Sequence, residues 1–271
     1  MKRTAQLLAV LAAGLALFSA TGCNKLKARD QLNKGVGAYK SAKYEEAINH
    51  FQQAVELDPT LENARLYLAT AYAQQFIPGV DSPDNNRYAE QAVEQYKAVL
   101  EKDPKSVNSV KGIAYLYLQQ KKFDDAKTFY RKALDIDPND PEPYYSIGVI
   151  DWTQSYQPRM EERAKIGLKP EDALKDKKVC AALKAKSWAP INDGIEQLNK
   201  ALQIRPDYDD AMAYMNLLFR EKADVECDDL PTRAADLKTA DDWVNKTMAT
   251  KKLKAEKQPT SSGVTMDQPN K

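Results

Sequence analysis

Few residues in this chain could carry chemistry. There are three cysteines, Cys23, Cys180 and Cys227, and a single histidine, His50. A thiolate or hydroxyl nucleophile needs a base beside it, and one histidine leaves one candidate. His50 sits beside Phe51 in helical text and reads as a partly exposed surface residue. No C-x-x-C, H-E-x-x-H, G-x-G-x-x-G or G-x-x-x-x-G-K-[ST] occurs, so redox, zinc-protease, dinucleotide and P-loop chemistry lack their frameworks. The acids Asp207, Asp209, Asp210, Asp228 and Asp229 fall in turns and helix starts, where carboxylates cap helices. They lack the spacing of a calcium loop. The expectation is a protein with no catalytic residues, no cofactor, no metal and no small-molecule substrate.

Charge excludes a further class. Lys+Arg total 40 against 39 Asp+Glu, so no global field draws the chain to nucleic acid or to an acidic membrane surface. Low Gly with abundant Ala, Leu, Lys, Glu and Gln favours helices.

The elements that must position any site repeat along the chain. Pro59, Pro104, Pro138 and Pro206 close the phrases AVELDP, VLEKDP, ALDIDP and ALQIRP. Pro104 and Pro138 are 34 residues apart; the flanking intervals are 45 and 68, one period plus insertions of about 11 and about 34. Within the clean period from Val107 to Asp140, Ile113, Ala114 and Tyr117 mark one helix and Phe123, Ala126, Tyr130 and Ala133 the next. Alanines sit where helices cross closely, aromatics fill gaps, and proline stops the second helix.

This pattern resembles the tetratricopeptide repeat. The resemblance implies an all-α fold: a right-handed superhelical array of four to five helix pairs over residues 28–230. Two inserted loops, about 75–87 and 153–189, would interrupt it on one edge. The longer one is mildly basic, with a helix opened by Pro170-Glu171-Asp172, and reads either as a flap that meets a partner or as a buttress. A capping helix over 231–256 and a polar, disordered tail over 257–271 would follow. In this family one face of the first helices receives peptides or helices. The matching positions are Leu32, Val36, Tyr39, Leu66, Tyr115, Tyr145 and Trp152, which would form a partner-binding groove. Each aromatic could equally be core packing.

The start of the chain carries a second resemblance. Lys2 and Arg3 precede an apolar run from Leu7 to Ala20, then Ala20-Thr21-Gly22-Cys23. This is similar to the signal peptide and lipobox of bacterial lipoproteins, with alanine where leucine is usual. It implies cleavage of residues 1–22 and acylation of Cys23 (diacylglycerol and a fatty acid such as palmitate). Residues 23–27 would be a short tether holding the array within ~20 Å of the lipid. Asn24 after the cysteine favours the outer membrane, facing the periplasm; the alternative is a soluble secreted or periplasmic protein. Once Cys23 is acylated, Cys180 and Cys227 remain in an oxidising compartment, where even counts often pair. A disulfide would place their Cα atoms within about 7 Å; two unpaired small apolar residues are the alternative.

The combined expectation is a lipid-anchored scaffold for a protein partner. A chaperone-like holder of exported unfolded chains, or an assembly factor for pili or outer-membrane proteins, is the alternative.

Overall fold

The computed structural model describes residues 23–169, 174–227 and 229–257. All regular structure in them is helical. Helix α1 covers residues 23–40. It is followed by α2 (Tyr44–Leu57), α3 (Glu62–Gln75), α4 (Pro83–Leu100), α5 (Val107–Gln119) and α6 (Phe123–Ile136). Then come α7 (Pro141–Lys165), α8 (Lys177–Ile204), α9 (Asp209–Asp224) and α10 (Leu230–Lys257). The chain divides into two compact units, Met1–Asp137 and Pro138–Lys271.

Three helix pairs, α1/α2, α3/α4 and α5/α6, build the first unit. The second helix of a pair buries small and aromatic residues one turn apart: Ala47, Phe51 and Ala54 on α2, Ala126, Tyr130 and Ala133 on α6. What stops these helices is the residue before each proline. Asp58, Asp137 and Arg205 are extended at the C-cap (φ −142°, −133° and −127°), because the proline ring that follows excludes the helical region. The turns inside pairs also repeat. Ala42 and Lys121 both take the left-handed conformation (φ 57° and 58°). In each turn the next amide closes back, Lys43 to the Ala38 carbonyl at 3.0 Å and Lys122 to that of Tyr117 at 2.9 Å, which is the bonding of a Schellman cap. The core joins Phe51, Leu68, Tyr72, Tyr96, Ile113 and Leu116.

About half of the shorter insertion is helix. Only residues 76–82 form a loop, since Ser82 caps α4 by accepting from the Asn85 amide at 3.3 Å and Pro83 fits the first helical turn. Asn85 ties the loop down: it accepts from the Ile77 amide (2.7 Å) and donates to the carbonyls of Ile77 (2.9 Å) and Val80 (2.7 Å). Phe76 is buried beneath.

In the second unit most of the longer insertion is helix, residues 153–165 and 177–189. α7 runs for 25 residues through Pro158 and α8 for 28 through Pro190, against 13 for α5. The helical parts of the insertion therefore prolong both helices of one pair. Asp176 opens α8, accepting from the amides of Lys178 and Val179 at 2.9 and 3.1 Å; the helix start expected at Pro170-Glu171-Asp172 lies outside the described residues. Gly148 and Gly194 let α7 and α8 cross closely: a Cβ on Gly148 would meet Leu198 Cγ at 2.6 Å. Leu183, Ile191, Leu198, Met215 and Leu218 form this unit's core. α10 packs along α9 in the place expected of a capping helix.

Residues 23–27, expected as an extended tether, are helical and open α1. At ~1.5 Å rise per residue they separate Cys23 from the array far less than an extended chain would. Residues 1–22 and 258–271, and with them the expected signal peptide and most of the expected tail, lie outside the described residues.

Candidate functional site

The residues expected in a groove divide between the units. Leu32, Val36, Tyr39 and Leu66 lie half-buried against the first core. Tyr115 is 45% exposed. Tyr145 and Trp152 belong to the second unit, where they are neither fully open nor fully buried. Both are half-buried and packed against the second core, because Tyr208 at the N-cap of α9 and Tyr214 on it lie against them.

The result is a continuous ladder of rings on the face shared by α7 and α9. Tyr145, Trp152 and Tyr156 are seven and four residues apart on α7, so they point the same way. Tyr208 lies 4.9 Å from Tyr145 with the rings tilted by 36°, and Tyr214 meets both Tyr145 (5.7 Å) and Trp152 (5.4 Å) edge to face. Trp152 stacks on Tyr156 at 4.9 Å. A guanidinium closes each end: Arg205 lies 3.1 Å over Tyr208, and Arg159 lies 5.5 Å from the Tyr156 centroid. Aromatic pairs of this geometry contribute about 0.5–1.5 kcal/mol each beyond their buried area. Burial pushes the Tyr145 and Tyr214 phenols up, and the nearby Asp210 carboxylate adds to the shift. Both therefore keep their proton at neutral pH. The Trp152 indole N–H is enclosed and has no acceptor among the described residues.

Below the ladder lies a buried ionic knot that the sequence pattern did not reveal. Arg159 grips Glu221 with two bonds, 2.6 and 2.9 Å, and reaches Asp224 at 2.6 Å. Arg163, wholly buried, donates to the Lys169 carbonyl at 2.6 Å and lies 3.4 Å from Asp224. Burial drives the Glu221 carboxyl up to about 7 while the Arg159 cation pulls against it. Lys184 pairs with Glu226 at 3.0 Å. Beside this knot Cys180 of α8 and Cys227, in the turn after α9, form a disulfide with Cα atoms 5.6 Å apart. These ties fix the prolonged ends of α7 and α8 to the end of α9, which is the arrangement of a buttress and not of a free flap.

His50, Asp209 and Asp229 are engaged in structure. His50 Nδ1 lies 2.7 Å from Gln31 Oε1, linking α1 to α2. Asp229 caps α10 through the Thr232 amide at 3.0 Å, and Asp209 is held by Lys254; Asp228 lies outside the described residues. Among the described residues no three His, Cys, Asp or Glu side chains gather as for a metal ion, and no helix is long and apolar enough to cross a membrane. On the first unit an open cleft of about 530 Å³ sits between the 76–82 loop and the α5–α6 turn, with Phe76 and Gln120 in its walls. The loop exposes Ile77 and Val80 at 58% and 46%.

Comparison with known proteins bears on the fold. One tetratricopeptide repeat model matches residues 87–147, and a second TPR repeat model matches residues 38–75. No curated protein sequence matches the chain. Among solved structures, one of MamA protein has a TM-score of 0.57 at 13% identity, over 86% of this chain and 96% of that one. MamA from Desulfovibrio magneticus RS-1, from residue 41 to its end, gives 0.56 at 16% over 84% and 96%. Identities this low speak to the fold alone. Residues 38–75 and 87–147 are thus tetratricopeptide repeats, and the chain is an all-α array of such helix pairs.

Proposed function

We propose that this chain is a non-catalytic scaffold, anchored in the bacterial envelope by lipid on Cys23, which holds a protein partner on the ring ladder of α7 and α9. The ladder is the observation that carries the reading. Tetratricopeptide folds serve as platforms for protein partners, and here the shared face of two first helices offers rings, not a closed pocket with converging polar groups. Tyrosine and tryptophan make large contacts at small entropic cost because they have only two side-chain torsions. The enclosed Trp152 N–H adds to this: an unmet donor costs about 1–3 kcal/mol, and a partner carbonyl would remove that cost once the indole turned outward. Capture of the membrane-bound protein after in-cell crosslinking should recover one dominant polypeptide, lost when Trp152 and Tyr214 are replaced by alanine. A broad mixture of exported chains, equally lost, would favour the holder of unfolded proteins over an assembly factor with one client.

The anchor rests on the lipobox-like Ala20-Thr21-Gly22-Cys23 and on the exposure of Cys23. Two or more acyl chains hold a protein firmly where one does not. Cys23→Ala should abolish the acyl mass and move the protein from the membrane fraction to the soluble one. Wild type found soluble after export would sink the anchor while leaving the partner site open.

A further inference from the structure

The opening of α1 is charged in a way its own fold does not use. Lys25, Lys27 and Arg29 are all exposed, and among the described residues none comes within 4 Å of a carboxylate. The next cation, Lys34, by contrast pairs with Asp30 at 2.7 Å. Asp58 feels Lys25 and Arg29 only at longer range, and its carboxylate is held by Thr60. With ~100° between successive residues, Lys25 and Lys27 point to nearly opposite sides. Ala28 is wholly buried against the unit, and Leu26 is 69% exposed. A helix lying along a membrane gathers its cations on one flank. A collar of cations around an exposed leucine suits a helix that meets the surface with its end.

The position of Cys23 gives that end a surface to meet. It is exposed, it is the free thiol among the described residues, and it stands one helical turn from Leu26 with no extended tether between. We propose that Lys25, Lys27 and Arg29 dock on the phosphates of anionic phospholipid, with Leu26 entering the boundary between headgroups and acyl chains. The proposal rests on acylation of Cys23 for its orientation. The acyl chains supply attachment; the collar supplies preference for anionic lipid and holds the first unit upright on the bilayer. Each cation near an anionic surface strengthens partition about five-fold, so three give roughly 100-fold.

The test uses the chain from Cys23 to Lys271 with its disulfide intact, so that Cys23 alone reacts with a maleimide bearing one tetradecyl chain. One chain binds membranes only marginally, which leaves room to see a gain. Partition is measured by sedimentation with vesicles of phosphatidylcholine, and of phosphatidylcholine with three parts in ten phosphatidylglycerol. The expected result is partition roughly 100-fold higher on the anionic vesicles. It should be screened by half-molar salt and lost in Lys25→Gln/Lys27→Gln/Arg29→Gln. It should be kept in Lys40→Gln/Lys97→Gln/Lys121→Gln, which removes the same charge elsewhere on the unit. Equal partition on both vesicles, or a preference that survives the first triple substitution, overturns the proposal. The mass of Cys23 from cells decides the anchor separately: an unmodified thiol with the vesicle preference intact would sink the anchor and leave the collar standing.

Discussion

Replacing Cys180 and Cys227 together by alanine should lower the melting temperature of the second unit by roughly 10 °C, and dithiothreitol should bring wild type down to the same value. The bond joins residues 47 apart in sequence. Closing a loop of that length removes unfolded-state entropy worth about 2–4 kcal/mol when the native geometry is unstrained. The variant itself should not respond to reductant, which separates the bond from the side chains. Hydrogen exchange should quicken first in the prolonged start of α8 and the end of α9, the segments that the bond clips together. Wild type whose melting is indifferent to reductant, or two free thiols titrated in the denatured exported protein, would remove the bond from the account.

Arg159→Met should cost about 3–5 kcal/mol, because it leaves Glu221 buried without its cation. Glu221 takes both of its hydrogen bonds from Arg159, whereas Asp224 keeps Arg163 at 3.4 Å and Arg233 at 3.9 Å. The damage should therefore centre on Glu221. Arg159→Met with Glu221→Leu should recover most of the loss, since apolar residues of similar volume can replace a buried pair at little cost. Urea denaturation of the two single variants and the double gives the coupling directly. A single variant within about 1 kcal/mol of wild type, or a double variant no better than the sum of its parts, would mean that the knot carries little of the buttress's stability.

What the sequence disclosed and what it concealed follow from the range of the forces involved. Repeats were legible because Ala126, Tyr130 and Ala133 sit at helical spacing before Pro138, and both periodicity and the proline stop act locally. The cysteine pairing could be suspected from an even count in an oxidising compartment. The ladder was half legible. Tyr145 and Trp152 stood out on a first helix, but their burial depended on Tyr208 and Tyr214, some sixty residues away at the start of α9 and on it. Tyr156 extends the same face four residues further and could have been found from spacing alone. The ionic knot was not legible, because charged residues at 159, 163, 221 and 224 look like solvated helix faces until two helices are prolonged and packed together. The insertions misled for a related reason. Proline at 83, 158 and 190 reads as a break, yet Pro83 opens a helix and the other two are carried inside long ones.

The ladder as a partner site is tested most directly by one titration. The polypeptide captured by crosslinking is purified and titrated against wild type, Trp152→Ala/Tyr214→Ala and Tyr115→Ala, at a temperature where thermal melts show all three folded. If the ladder is the site, the double variant should bind at least about 30-fold more weakly, the loss expected of a hot spot worth 2 kcal/mol or more. Tyr115→Ala, on the other unit, should stay within about three-fold of wild type. A folded double variant that binds with undiminished affinity, or a loss confined to Tyr115→Ala, would contradict the account and move the site to the first unit.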